Sequence, residues 1–294
     1  MVNIKRNSFK AWVLAARPKT LTGAAIPVIV ATALAWSNDR FNLVPALLCL
    51  AFACLMQIAA NFINDLYDFL KGTDTAERLG PERACQQGWI SPAAMKAGIA
   101  AVTVTACALG LVLLYYGSLW LIAVGVACVG FAFLYTLFLS YWGLGDLLVL
   151  VFFGLVPVLG TYYVQAGGIT SDAVVCSLAC GFVIDLLLII NNYRDRNSDH
   201  KTGKRTLIAL LGEKFGRYDY LGTGLVAWAF TLVFLFEGRV WAFILPLLFL
   251  PLHITVWREM VVIRQGKALN RILGLTSRNM LAFALLLSAG LLIG

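Results

Sequence analysis

Along this chain, apolar runs about twenty residues long alternate with short polar breaks, a pattern that suits buried helices rather than half-buried strands. Nine such runs are recognisable, at about residues 20–36, 43–63, 94–115, 119–139, 146–166, 172–192, 219–236, 240–257 and 279–294. Each approaches or exceeds the length a helix needs to cross a bilayer, roughly 17–25 residues. The expected fold is therefore all-α and integral to the membrane: a single bundle of nine transmembrane helices with a polar cap on the cytoplasmic side, one domain over residues 1–294. Most breaks are as short as YYGS, SYWGLG or EGR, as antiparallel neighbours in one bundle require. Three are longer, at residues 67–93, 193–218 and 258–278, and all fall on one predicted side. Polar chemistry is expected there.

Composition agrees with this placement: 61% of residues are hydrophobic, 13% are charged and the mean hydropathy is +0.84. A net charge of +8 might point to nucleic acid, but the distribution of the cations decides otherwise. Of the 23 Lys and Arg residues only Arg40 and Arg239 fall on the side opposite the long breaks. That asymmetry is the positive-inside pattern, with a cytoplasmic N-terminus and, for nine spans, an external C-terminus. The basicity reports topology, and no nucleic-acid partner is expected. The first apolar run follows KAWVLAARPKT without a small-residue cleavage pattern, so it reads as a retained helix. The seven cysteines form no CxxC pair and mostly sit within apolar runs, where they behave as small hydrophobes. His200 and His253 are too few for a histidine metal site, and His253 is expected at the membrane interface near the end of span 8.

Against this background two polar stretches stand out, NFINDLYDFLKGTD at residues 61–74 and NNYRDRNSD at residues 191–199, each closing an apolar run. If the helix continues, Asn61, Asn64, Asp65 and Asp68 lie at i, i+3, i+4 and i+7 on one face. Asn191, Asp195 and Asp199 share a face in the same way, with Asn192 beside them. Stripes of hard oxygen ligands suit Mg²⁺, which commonly takes one or two carboxylates together with substrate phosphates. A single such cluster could be a solvated helix end; two of matched chemistry on one side favour a diphosphate site. Lys71 and Arg83 after the first stretch, and Lys201, Lys204 and Arg205 after the second, supply cations for phosphate oxygens. The recurrence four spans apart also hints at an internal pseudo-repeat.

Other polar and aromatic positions are candidates of a second kind. Asp146 opens span 5 and Asp185 lies inside span 6, where an unpaired charge is costly; Asp185 is expected to have a structural partner and Asp146 is a candidate for an acceptor pocket. Arg17 and Lys19 could orient an acceptor carboxylate at the site's mouth. Tyr67, Tyr135, Tyr141 and Trp142 offer ring faces that would stabilise a cation, although interfacial belts use the same residues.

These motifs resemble those of the membrane-embedded UbiA-type aromatic prenyltransferases, and within them the branch that prenylates 1,4-dihydroxy-2-naphthoate in menaquinone synthesis. The resemblance rests on ARPKTL before span 1, NxxNDxYDFxKGTDTxxRxGPxRA at residues 61–84, QxGxISP at 86–92, GTYYVQ at 160–165 and NNYRDxxxDxKTGKRTL at 191–207. It implies a bacterial inner-membrane enzyme that takes a polyprenyl diphosphate and the naphthoate, with two Mg²⁺ ions. One ion would be held by Asn64, Asp68 and Asp74, the last standing in for a family acidic position that here is Gly72; the other would be held by Asp195 and Asp199. Asp68, Asp195 and Asp199 are the residues on which catalysis would depend. The resemblance also implies loss of the acceptor carboxylate as CO₂. Two alternatives stay open: prenylation of another aromatic acid, such as 4-hydroxybenzoate or homogentisate, and, in a different class, a divalent-cation transporter.

Overall fold

The computed structural model describes residues 4–72, 79–137 and 142–294. Among the described residues the secondary structure is helical. In chain order the helices are α1 (Phe9–Ala16), α2 (Leu21–Ser37), α3 (Leu43–Leu70), α4 (Pro92–Leu113), α5 (Trp120–Leu137), α6 (Gly145–Val149), α7 (Val156–Ala166), α8 (Ser171–Lys201), α9 (Leu207–Ala229), α10 (Leu232–Phe236), α11 (Val240–Leu247), α12 (Phe249–Ile263) and α13 (Leu269–Ile293). Several join end to end into longer rods. Eight rods among the described residues are long and apolar enough to cross a membrane, and the shorter apolar helix at Trp120–Tyr135 stands where the ninth was expected.

Helix α8 is the centre of the bundle. Two thirds of its most apolar window, 67%, is buried inside the protein, against 22% for α3 and 17% for the rod containing α4. It is flanked by α2, α7, α9 and α13. A six-residue π turn, Leu150–Leu155, joins α6 to α7 and brings Gly154 against α8. A Cβ on Gly154 would lie 2.6 Å from the Ser177 carbonyl oxygen and 2.8 Å from the Gly181 Cα, so only glycine admits this approach.

The long polar breaks are shorter than the hydropathy pattern suggested. Helix α3 has 28 residues and α8 has 31, spanning about 42 and 46 Å at 1.5 Å per residue. Both overrun a hydrocarbon core of about 30 Å. Residues 193–201 therefore extend α8, and residues 207–218 already belong to α9, which leaves only 202–206 as connector. Likewise 264–268 is all that separates α12 from α13. An apolar window cannot register a helix that continues into polar sequence. Asn61 to Asp68 and Asn191 to Asp199 consequently sit on helix faces, as their spacing required.

His253 is a further correction. It is buried rather than interfacial, 1% exposed, and its Nε2 donates to the Leu221 carbonyl at 3.2 Å. Its ring stacks with Tyr220 at 5.0 Å and Phe249 at 5.2 Å, over Gly224, which has no side chain to block it. At the end of the bundle away from the acidic stretches, Arg239 bonds Asn38 Oδ1 at 2.9 Å and pairs with Asp172 at 3.4 Å, while Asn38 donates to the Tyr162 hydroxyl at 2.8 Å. This clamp ties together the connections at that end.

Candidate active site

The ARPKTL segment makes the first wall of the site. Arg17 adopts a left-handed conformation, φ 51°, that ends α1 and turns the chain through a short 3₁₀ helix, Pro18–Thr20, into α2. Asn61 fixes this bend from α3: its Nδ2 donates to the Ala16 carbonyl and to Thr20 Oγ1, both at 2.9 Å, and its Oδ1 accepts from Gln57 at 3.3 Å. Asn61 is thus a supporting residue, committed to the fold. Arg17 lines the cavity described below, while Lys19 is exposed.

Asp65, one residue from Asn64, faces a different partner. It is 1% exposed, and its two carboxylate oxygens accept the backbone N–H groups of Ala84 and Cys85, each at 2.8 Å. This anchors the returning segment so that Arg83 reaches the helix end. Arg83 donates to Asp68 Oδ2 at 2.6 Å and to the Asn64 carbonyl. In this structure Arg83 is therefore a counter-charge of Asp68. Tyr67 is half-buried against the apolar cluster around Phe62 and Leu66, and Lys71 caps the end of α3. Asp74 and Tyr141 lie outside the described residues, and Trp142 is exposed.

The second stretch has a parallel arrangement. Asp195 is held by its neighbour Arg194, with Nε to Oδ1 at 2.8 Å and Nη2 to Oδ2 at 2.5 Å. Asp199 is 7% exposed; its Oδ1 lies 3.8 Å from Lys204 Nζ, and its Oδ2 has no hydrogen-bond partner among the described residues. Lys201 and Arg205 are exposed. Asn191 donates to the Leu187 carbonyl at 2.8 Å and lines the cavity, whereas Asn192 is buried beside Asp146, Lys204 and Tyr135 around a small pocket. Asp185 is 4% exposed, and its Oδ1 has no hydrogen-bond partner among the described residues. The expected structural partner for it is not found among the described residues.

A cavity of about 390 Å³ joins the two stretches to the bundle interior. Asn64 from α3 and Asn191 from α8 line its polar end, together with Asn61, Arg17 and Tyr135. From there the cavity runs along α3 to Cys49, fifteen residues or about 22 Å away. Its walls are apolar, with Phe131 and Phe152 stacked at 3.8 Å and Val28, Leu113 and Val164 at the far end. Such a space takes a long apolar chain with a polar head.

Among the described residues no three His, Cys, Asp or Glu side chains are grouped closely enough to hold an ion by themselves. The donors are nonetheless hard oxygens, and the buried, unpartnered Asp199 Oδ2 is an acceptor that calls for a cation. This fits an ion that takes most of its coordination from substrate phosphate and water.

Residues 24–283 match the family described as the UbiA prenyltransferase family. The chain belongs to that family. It is a membrane prenyltransferase, similar over 98% of its length to a protein of Mycobacterium tuberculosis named 1,4-dihydroxy-2-naphthoate octaprenyltransferase, with 36% identity and 98% of that protein covered. A protein of Haemophilus influenzae with the same name is 35% identical over 100% of this chain and 98% of its own length. One from Escherichia coli is 40% identical over 69% of each. The fold is that of a UbiA homologue from Aeropyrum pernix K1 solved in its apo form, at a TM-score of 0.71 and 19% identity, covering 92% of this chain and 97% of that one. Membership of the UbiA family sets aside the transporter reading.

Arg194, Gln57 and Asn270 were missed from the sequence. Arg194 could have been found, because it directly precedes the acidic candidate Asp195 at the point where a long apolar run ends, and a cation there is readily paired. Asn270 carries no local signal, since its partners are 76 and 191 residues away.

Proposed function

We propose that this chain transfers a polyprenyl group from polyprenyl diphosphate to 1,4-dihydroxy-2-naphthoate with loss of CO₂, in the bacterial inner membrane, as a step of menaquinone synthesis. The observation that carries it is a cavity that is polar at Asn64 and Asn191 and apolar along the next 22 Å or so. The names of the curated relatives support the naphthoate over other aromatic acids and suggest an octaprenyl donor.

The tail lies along α3, and the diphosphate comes to rest between the two Asn/Asp stretches. Bound Mg²⁺ would be held by Asn64, Asp68, Asp195 and Asp199, and would neutralise the charge that develops on the departing diphosphate. Lys204, and Lys71 at the end of α3, add positive charge there. The allylic C–O bond breaks with its electron pair leaving on diphosphate. Apolar walls exclude water from the allylic cation, and Tyr135, Phe131 and Phe152 line the cavity where their aromatic rings would favour it. The naphthoate ring carbon that bears the carboxylate forms the new C–C bond, and the C–CO₂⁻ bond then breaks, returning its electron pair to the ring. Arg17, at the cavity mouth, orients that carboxylate, and Asp146 borders the acceptor's side of Tyr135.

Purified protein supplied with polyprenyl diphosphate, the naphthoate and Mg²⁺ is expected to yield the prenylated product, and to stop when EDTA is added. Asp68→Ala and Asp195→Ala each remove the activity. Full turnover in EDTA overturns the reading.

A further inference from the structure

Arg194 is almost wholly buried, 4% exposed, and spends two of its N–H groups on the carboxylate of Asp195. A two-point contact leaves the pair free to tilt together about the Arg194 side chain. A third contact prevents this: Arg194 Nη1 donates to Asn270 Oδ1 at 2.9 Å. Asn270 stands in the first turn of α13, and its Nδ2 donates to the Leu79 carbonyl at 2.8 Å. Only this amide orientation works. Rotated by half a turn, the NH₂ would meet a guanidinium and the oxygen a carbonyl. Leu79 opens the described segment that leads to Arg83, the partner of Asp68. One side chain from the last helix therefore links Arg194 and Asp195 on α8 to the segment that returns to Asp68 on α3.

We infer that Asn270 is a positioning residue for the reaction, holding Arg194 and hence Asp195 in register with the segment that carries Arg83. The inference rests on the proposed function in so far as Asp68 and Asp195 face the diphosphate. Asparagine is the residue that meets both demands at this reach: aspartate keeps the bond from Arg194 but lacks the donor to Leu79, and alanine loses both.

The test uses the full-length protein in detergent with Asn270→Ala, Asn270→Asp, Arg194→Met and the Arg194→Met/Asn270→Ala pair. Two readouts are taken: hydrogen exchange of segments 79–87 and 193–199 without substrate, and KM for the diphosphate donor and for the acceptor. Asn270→Ala is expected to speed exchange in both segments and to raise the donor KM about five- to tenfold with the acceptor KM unchanged. Asn270→Asp speeds exchange in 79–87 alone. In the Arg194→Met background Asn270→Ala adds no further change in 193–199. Wild-type exchange in Asn270→Ala overturns the inference, as does an equal rise in both KM values, or additive effects on exchange in 193–199 in the pair. Should the wild-type protein fail to prenylate the naphthoate, the proposed function falls while the exchange measurements still decide the role of Asn270.

Discussion

Replacing Asp65 by alanine separates a residue that builds the site from one that acts in it. Its carboxylate accepts two buried backbone N–H groups, at 2.8 Å each, and Ala84 and Cys85 are only 2% and 4% exposed. Removing the acceptor strands both donors. Each stranded group costs about 1–3 kcal/mol, so the segment's attachment weakens by roughly 2–6 kcal/mol. At 1.4 kcal/mol per decade the lower figure already means about a 25-fold rise in the open population. Hydrogen exchange at the Ala84 and Cys85 amides reads this opening directly. Because Arg83 is the preceding residue, its hold on Asp68 loosens with it, and kcat/KM for the donor is expected to fall at least about tenfold. Asp65→Asn keeps one acceptor and should fall between the two. Unchanged exchange at those two amides in Asp65→Ala would refute the reasoning, whatever happened to the rate.

Other expectations follow from the same structure. Gly154→Ala forces a Cβ onto the backbone of α8 and should lower stability by about 1–3 kcal/mol, seen as a reduced melting temperature in detergent; Gly160→Ala, whose new carbon meets no neighbouring helix within 4 Å among the described residues, should not lower it. Ala53→Trp narrows the apolar cavity and should raise the donor KM more for long tails than for short ones, with the acceptor KM unaffected. Asp199→Asn keeps the side chain's shape but halves its oxygen ligands, and should raise the Mg²⁺ concentration needed for half-maximal rate several-fold.

Much of the architecture was legible because membrane-spanning helices are specified by composition over a long window, a signal that survives local irregularity. The same averaging hid the helical extensions at residues 193–201 and 207–218, where polar sequence continues a helix that the window had already closed. In the site, the face shared by Asn61, Asn64, Asp65 and Asp68 followed from helical spacing, yet spacing did not divide the labour among them. Asn61 and Asp65 turn out to hold neighbouring backbone, whereas Asn64 lines the cavity and Asp68 meets Arg83. That division depends on what packs opposite each side chain, and a one-dimensional pattern carries no record of it. Asn270 shows the limit most plainly, since its importance lies wholly in partners from α8 and from the segment after α3.

The central claim is prenyl transfer at the ring carbon that loses its carboxylate. The most direct measurement uses 1,4-dihydroxy-2-naphthoate labelled with ¹³C in the carboxyl group, together with a polyprenyl diphosphate and Mg²⁺, and follows labelled CO₂ and prenylated product by mass spectrometry. One labelled CO₂ released for each prenylated, unlabelled ring is the predicted result. A prenylated product that retains the label, or release of CO₂ without prenylation, would contradict it.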